Sequence, residues 1–93
     1  MQQRTSVINW RSQDPPEGAV YIGRGSPWGN PYRLYADGNR ATVIEKYRLW
    51  LDAHPEIDIE QLRGKVLICS CKPLACHGDV IVERLHPQPD LIS

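Results

Sequence analysis

The spacing of apolar side chains along the chain predicts a succession of strands and helices. Short β-branched or aromatic runs are typical of strands, and apolar residues that recur every three or four positions are typical of amphipathic helices. In chain order the predicted elements are strands at 6–9 and 19–23, helices at 41–53 and 58–63, a strand at 65–70 and a helix at 76–85. Thr42 and Glu45 have the spacing of a capping box at the first helix, and Gly64 is placed to end the second in a left-handed conformation.

The resulting order, β-β-α-α-β-α, predicts a small single α/β domain that spans residues 1–93. A long helical connection before the last strand is the economical way to return that strand parallel to a neighbour. We expect a sheet of about three strands with the helices packed on it. The inward-facing positions should form most of the core: Ile44, Tyr47, Trp50, Leu51, Val66, Ile68, Ile81 and Leu85.

The chain of 93 residues has no formal net charge. A domain of this size has one modest core, so we expect its site to be a surface cleft, or one that a homodimer completes. Nucleic-acid binders usually have a basic surface, so non-specific nucleic-acid binding is disfavoured. Residues 1–48 nevertheless hold seven basic and four acidic side chains, which favours contact between this half and a small anion.

Cysteine usage and hydropathy predict a reduced, cytoplasmic protein with no membrane partner. Three cysteines leave one unpaired after any disulfide, and no signal-peptide pattern is present. No apolar run approaches the ~20 residues of a membrane-spanning helix.

The most informative segment is 64–80, where an apolar strand ends at nucleophilic and titratable groups before a helix begins. A thiol at a helix start has its thiolate stabilised by the helix dipole, so Cys76 is a candidate nucleophile with a lowered pKa and His77 a candidate proton carrier. Asp79 is a candidate acid or base, and Gly78 permits close approach to a ligand. The alternative is that Cys76 and His77 pack and that Asp79 complements the helix N-terminus.

A second polar loop follows the strand predicted at 19–23. Its glycines leave backbone N–H groups accessible beside a guanidinium group, and together these donors can bind a phosphate or a carboxylate. Its aromatic and amide side chains can bind a planar ring. The candidate ligand-binding residues are Gly23, Arg24, Gly25 and Ser26 for the anion and Trp28 and Asn30 for the ring. Alternatively, Arg24 is a solvated surface residue and Trp28 fills the edge of the core.

Four zinc-type side chains lie within nine residues: Cys69, Cys71, Cys76 and His77. Cys69 and Cys71 share one face of a strand, but their spacing departs from the C-x(2–4)-C knuckle of most structural zinc sites. We therefore expect no metal or other cofactor, and we expect Cys69 to be a small buried core residue.

Together the two polar segments resemble an uncharacterised family of bacterial and phage domains of unknown function. Its members combine a Tyr-Ile-Gly-Arg-x(3)-Trp-Gly-Asn-Pro loop with a later Cys-x-Cys-x-Pro-x(2)-Cys-His-Gly-Asp run, here residues 21–31 and 69–79. The resemblance covers nearly the whole chain and implies an α/β fold in which both motifs line one cleft, but it implies no reaction. The C-terminal unit also resembles another uncharacterised family whose helix begins Cys-His-Arg; Gly78 replaces that arginine here, and Arg24 would supply the charge instead.

These observations lead to two hypotheses from different classes. The first is recognition or processing of a nucleotide-like or other phosphorylated small molecule between the loop at 23–30 and the helix start at 76–79. Hydrolysis or glycosyl-bond cleavage by His77 or Asp79 would be its chemistry. The second is a zinc-stabilised module that binds a protein or nucleic acid through the Trp28 loop. The sequence leaves open whether the chain is an enzyme.

Overall fold

The computed structural model describes residues 4–9, 11, 14–70 and 74–87. Within these ranges the chain forms three strands, two α-helices and one 3-10 turn. The elements are β1 (Ser6–Asn9), β2 (Val20–Tyr21), α1 (Arg40–Ala53), the 3-10 turn Glu60–Leu62, β3 (Val66–Cys69) and α2 (His77–Leu85).

The three described strands form one parallel sheet in the order β1-β3-β2. Val7 of β1 and Val20 of β2 both pair with Leu67 of the central strand β3. Parallel strands need a long crossover connection, and α1 supplies it between β2 and β3. The small α/β fold expected from the sequence is confirmed at this level, with the carboxyl ends of β2 and β3 side by side.

One face of the sheet packs against both helices. Leu67 and Cys69 are buried on this face, and Val7 and Val20 pack beside them against the same cluster. Four of the predicted core residues are buried in it: Tyr47, Leu51, Ile81 and Leu85. Ile44 and Trp50 are partly buried against the cluster, as a helical stripe at its margin would be.

The prediction that Val66 and Ile68 lie in this core is wrong. Side chains alternate between the two faces of a strand, and in β3 Leu67 and Cys69 are the pair that points toward the helices. Val66 and Ile68 are therefore on the opposite face, where both are half-buried.

Helix α1 begins one residue earlier than predicted and uses a different cap. The Asn39 side chain accepts a hydrogen bond of 2.9 Å from the Thr42 backbone N–H, so Asn39 and not Thr42 is the N-cap. Asn satisfies a free N–H of the first turn as well as Thr does. Two exposed ion pairs, Arg48 with Glu83 and Arg84 with Asp52, connect α1 to α2.

The second predicted helix is only the 3-10 turn Glu60–Leu62. Asp58 accepts a hydrogen bond from the Glu60 N–H, as expected of a residue that opens a turn, but the segment is too short for an α-helical ladder. Gly64 has a φ of +79°, and its predicted left-handed conformation is confirmed. Among the described residues, no helix has the length and apolar content needed to cross a bilayer.

Candidate functional site

A cavity of about 220 Å³ lies where the carboxyl ends of β2 and β3 meet the start of α2. We call it the carboxyl-end cavity. Residues from four places line it: Gly23, Arg24 and Asn30 after β2, Arg40 of α1, Cys69 and Ser70 at the end of β3, and Cys76 and His77 at the start of α2. The predicted juxtaposition of the two polar loops is therefore confirmed.

A hydrogen bond from His77 joins the two loops across the sheet. Its Nε2 lies 2.7 Å from the carbonyl oxygen of Ile22, the residue that follows β2. A carbonyl can only accept, so Nε2 carries the proton and Nδ1 is the basic nitrogen of the neutral ring. The ring is 8% exposed, and burial lowers the pKa of His77. His77 is therefore a neutral imidazole at pH 7.

Tyr47 supports His77 from helix α1. The two rings meet edge to face with their centroids 5.0 Å apart. The Tyr47 hydroxyl donates a 2.7 Å hydrogen bond to the carbonyl of Trp28, and burial raises the pKa of this hydroxyl. One buried side chain thus braces the imidazole and also fixes the loop that follows β2.

Cys76 is the N-cap of α2, and its thiol does not have the lowered pKa expected from a helix start. Its Sγ lies 3.4 Å from the Sγ of Cys69, and both side chains are buried. The hydrogen bond with Cys69 and burial raise the pKa of Cys76, and these effects exceed the opposing effect of the Gly78 backbone N–H. The favourable helix end is outweighed because a thiolate would lie beside a second thiol, away from water.

Asp79 completes the cap of its own helix. Its Oδ2 accepts a 3.1 Å hydrogen bond from the Cys76 backbone N–H, while the Cys76 side chain accepts from the Asp79 backbone N–H. Asp79 lines a second cavity, beside Arg48 and Glu83, and is not among the described residues around the first. The structure thus shows the helix-start role of Asp79, and its acid or base role stays a prediction.

The loop after β2 is held by its own side chains. Ser26 Oγ donates to the carbonyl of Gly23 at 2.8 Å, and Trp28 Nε1 donates to the carbonyl of Asp58 at 3.1 Å. The amide of Asn30 donates to the carbonyl of Val43 and accepts from the N–H of Tyr32. These bonds explain how the loop keeps one shape at the cavity.

Several predicted ligand-binding residues lie outside the described lining of the cavity: Gly25, Ser26, Trp28 and Gly78. Trp28 packs against the core instead. Gly78 is buried under Ile22 and Val7, so its small size lets α2 approach the sheet. Ligand contact by these four residues stays a prediction.

Arg40 is the charged residue among the lining residues that the sequence analysis missed. It is the first residue of α1, and its Nη1 donates a 3.1 Å hydrogen bond to the carbonyl of Ala75, just before α2. A cation at a helix N-terminus opposes the helix dipole, and this unfavourable placement was the signal available in the sequence.

The electrostatic character of the cavity follows from its lining. Arg24 and Arg40 are both among the lining residues, whereas none of the described lining residues is Asp or Glu. Arg24 is exposed, and within the described part of the chain its side chain has no acidic partner. The charged side chains of the described lining are therefore basic, although the chain as a whole is neutral.

Three of the four side chains of the zinc hypothesis are described. The Sγ atoms of Cys69 and Cys76 lie 3.4 Å apart, and the Nε2 of His77 is occupied by the carbonyl of Ile22. No group of three or more His, Cys, Asp or Glu side chains with metal-binding geometry occurs among the described residues. Cys71, the remaining predicted ligand, lies outside them.

Residues 6–87 match the model of a domain of unknown function, DUF4326. The chain belongs to the DUF4326 family. The family match includes all six described elements and both loops of the carboxyl-end cavity.

A relative from Enterobacteria phage T4 is an uncharacterised 12.4 kDa protein in the nrdA-td intergenic region. It is 40% identical to this chain over an alignment of 68 residues, and the match covers 67% of this chain and 62% of the phage protein. The matched region is thus a little under two thirds of the relative's length. No solved structure matches the chain.

Proposed function

We propose that this DUF4326 domain binds a small phosphorylated, nucleotide-like ligand in the carboxyl-end cavity. The observation that carries the proposal is the pair Arg24 and Arg40 in a cavity with no acidic side chain among its described lining residues. Guanidinium groups bind phosphate oxygens through charge-assisted hydrogen bonds. The positive end of α2, beside Cys76 and His77, adds to the attraction.

The rest of the lining suits the remainder of such a ligand. Tyr21 and Tyr32 offer aromatic surface, and the Ser70 hydroxyl at the end of β3 offers a hydrogen-bonding group. At about 220 Å³ the cavity is smaller than the ~300–1,000 Å³ that hold drug-sized molecules. We therefore propose a ligand no larger than a mononucleotide, with sugar phosphates as smaller members of the class.

If the bound ligand is also a substrate, we propose that His77 is the catalytic base. Its ring is neutral and its Nε2 proton is held by the Ile22 carbonyl, so Nδ1 is left as the basic nitrogen. A base of this kind can take a proton from a water or a ligand hydroxyl. Hydrolysis, including cleavage of a glycosyl bond, is the reaction class we propose to test first. We also propose that the protein is cytoplasmic.

Calorimetric titration with matched ligands tests the binding proposal. The probes are inorganic phosphate, ribose 5-phosphate and the four ribonucleoside 5′-monophosphates, each nucleotide paired with its unphosphorylated nucleoside. We expect the phosphorylated member of each pair to bind more tightly. Raising the salt concentration should weaken its binding, because the attraction is electrostatic.

Substitution of the two arginines locates the binding site. Arg24→Gln and Arg40→Gln should each weaken phosphate-dependent binding by about tenfold or more, the value of one lost charge-assisted hydrogen bond. Arg33→Gln is the control, because Arg33 is exposed and lies outside the described lining of both cavities. If no phosphorylated probe binds, or if all three variants bind as the wild type does, the proposal is wrong.

A further inference from the structure

Two thiols from different elements meet at the wall of the carboxyl-end cavity. Cys69 is the last residue of β3, and Cys76 is the N-cap of α2. Their Sγ atoms are 3.4 Å apart, and no disulfide joins them. Both residues are among those that line the cavity, and they are only 1% and 2% exposed.

The surrounding core holds the two sulfurs in contact. Cys69 and Cys76 belong to the same buried cluster as Leu67 and Val80, so each thiol is fixed by the packing of its own element. A disulfide bond is about 2.0 Å long, so a contraction of about 1.4 Å from the present contact would suffice. In the sequence, six residues, 70–75, separate the two cysteines.

We propose that Cys69 and Cys76 form a reversible disulfide when a small hydroperoxide enters the cavity. In the first step one thiol, as its thiolate, attacks the peroxide; the O–O bond breaks, a sulfenic acid forms and one water leaves. In the second step the neighbouring thiol displaces the hydroxyl of the sulfenic acid, which forms the S–S bond and releases a second water. The two thiols lose two electrons, and the peroxide gains them.

Hydrogen peroxide is the oxidant that fits the site. It is small enough to enter the cavity, whereas a bulky disulfide would need the buried thiols to become exposed. The reaction should be slow at neutral pH, because burial and the contact with Cys69 raise the pKa of Cys76. Its rate should rise about tenfold for each pH unit, in proportion to the thiolate fraction. This inference does not depend on the ligand proposed above.

The test uses the wild-type protein and hydrogen peroxide, followed by denaturation, alkylation of the remaining thiols and peptide mass spectrometry. We expect the tryptic peptide that carries all three cysteines to lose two hydrogen atoms and to gain one alkyl group, located at Cys71 by fragmentation. Dithiothreitol added before alkylation should restore three alkylated cysteines.

Two comparisons make the result decisive. Cys69→Ser should abolish the loss of two hydrogen atoms at neutral pH, while Cys71→Ser should keep it and leave no thiol to alkylate. Circular dichroism tests whether each variant is folded. If a variant is unfolded, the peptide map of the peroxide-treated wild type alone decides the outcome. Three alkylated cysteines in the peroxide-treated wild type, or a disulfide that includes Cys71, would overturn the proposal.

Discussion

At the scale of single residues, the fold fixes both the orientation and the protonation of the His77 imidazole. Its hydrogen bond to the Ile22 carbonyl assigns the proton to Nε2, and the buried environment lowers its pKa. The same bond fixes the ring against β2 while Tyr47 packs on its edge. A neutral, oriented imidazole is thus a consequence of the fold itself, before any ligand binds.

Because the folded protein holds His77 neutral, its stability should depend on pH. Replacement of His77 by Gln should remove this contribution. Because the folded-state pKa is below the unfolded value of about 6.5, the unfolded protein binds more protons, and the wild type loses stability as pH falls below about 6.5. Gln keeps an N–H donor but does not titrate. The wild type should be the more stable protein at pH 7.5, and its advantage should shrink toward pH 5.

Urea unfolding of both proteins at pH 7.5, 6.5 and 5.5 measures the effect. All other side chains are common to the two proteins, so their contributions cancel in the difference. A difference in the free energy of unfolding that stays constant over this range would mean that His77 is not held in the neutral form.

At the scale of elements, helix α1 joins the core to the site. Its buried stripe includes Val43, Tyr47 and Leu51, while Arg40 at its first turn lines the cavity. The carbonyl of Val43 and the hydroxyl of Tyr47 both bind the loop after β2. Displacement of this helix should therefore affect stability and site geometry together.

Two leucines of α1 offer a matched test of which face is buried. Leu51 is 9% exposed, whereas Leu49 is 60% exposed. Leu51→Ala should cost about 2–5 kcal/mol in the free energy of unfolding, because it leaves a cavity in the core. Leu49→Ala should change stability by no more than about 0.5 kcal/mol, as expected for an exposed position. Similar losses in both variants, measured by urea unfolding, would contradict the buried face described for this helix.

The loop after β2 depends on a glycine at position 29. A Cβ there would lie 2.6 Å from the Gly23 carbonyl oxygen, a backbone atom that already accepts bonds from Ser26. Gly29→Ala should therefore displace the loop and destabilise the protein by about 1–3 kcal/mol. Ser26→Ala, which removes only one hydroxyl hydrogen bond, should cost about 1 kcal/mol.

Thermal unfolding of the two loop variants gives their order of stability. Titration with whichever phosphorylated probe binds the wild type then reports the effect on the cavity. A Gly29→Ala protein at least as stable as the Ser26→Ala protein would show that the loop can relax away from the Gly23 carbonyl.

At the scale of the whole molecule, the sequence was sufficient for features that local patterns determine. Turn residues and apolar spacing located the three described strands and both α-helices, and Gly64 was recognised by its position after a short helical segment. The approach of the two polar loops followed from parallel strands, whose carboxyl ends must lie at the same end of the sheet. These predictions needed only periodicity and chain direction.

The errors arose where distant parts of the chain meet. All four residues of β3 are apolar, so alternation could not show that Leu67 and Cys69, rather than Val66 and Ile68, face the helices. The pKa of Cys76 depends on the approach of Cys69, which no local pattern reveals. Arg40 enters the cavity because α1 crosses the sheet toward Ala75, a contact between residues far apart in sequence.

The position of β3 in the sheet has a consequence for how the chain is made. Ser6 pairs with Val66 and Val20 with Leu67, so neither outer strand has a partner until the ribosome has synthesised β3. At about 5–20 residues per second, the roughly 60 residues that separate β1 from β3 take about 3–12 s to translate. Ile22 and α1 are synthesised within that interval and have no sheet to pack against, so the nascent chain is most exposed to aggregation and to chaperones just before β3 emerges.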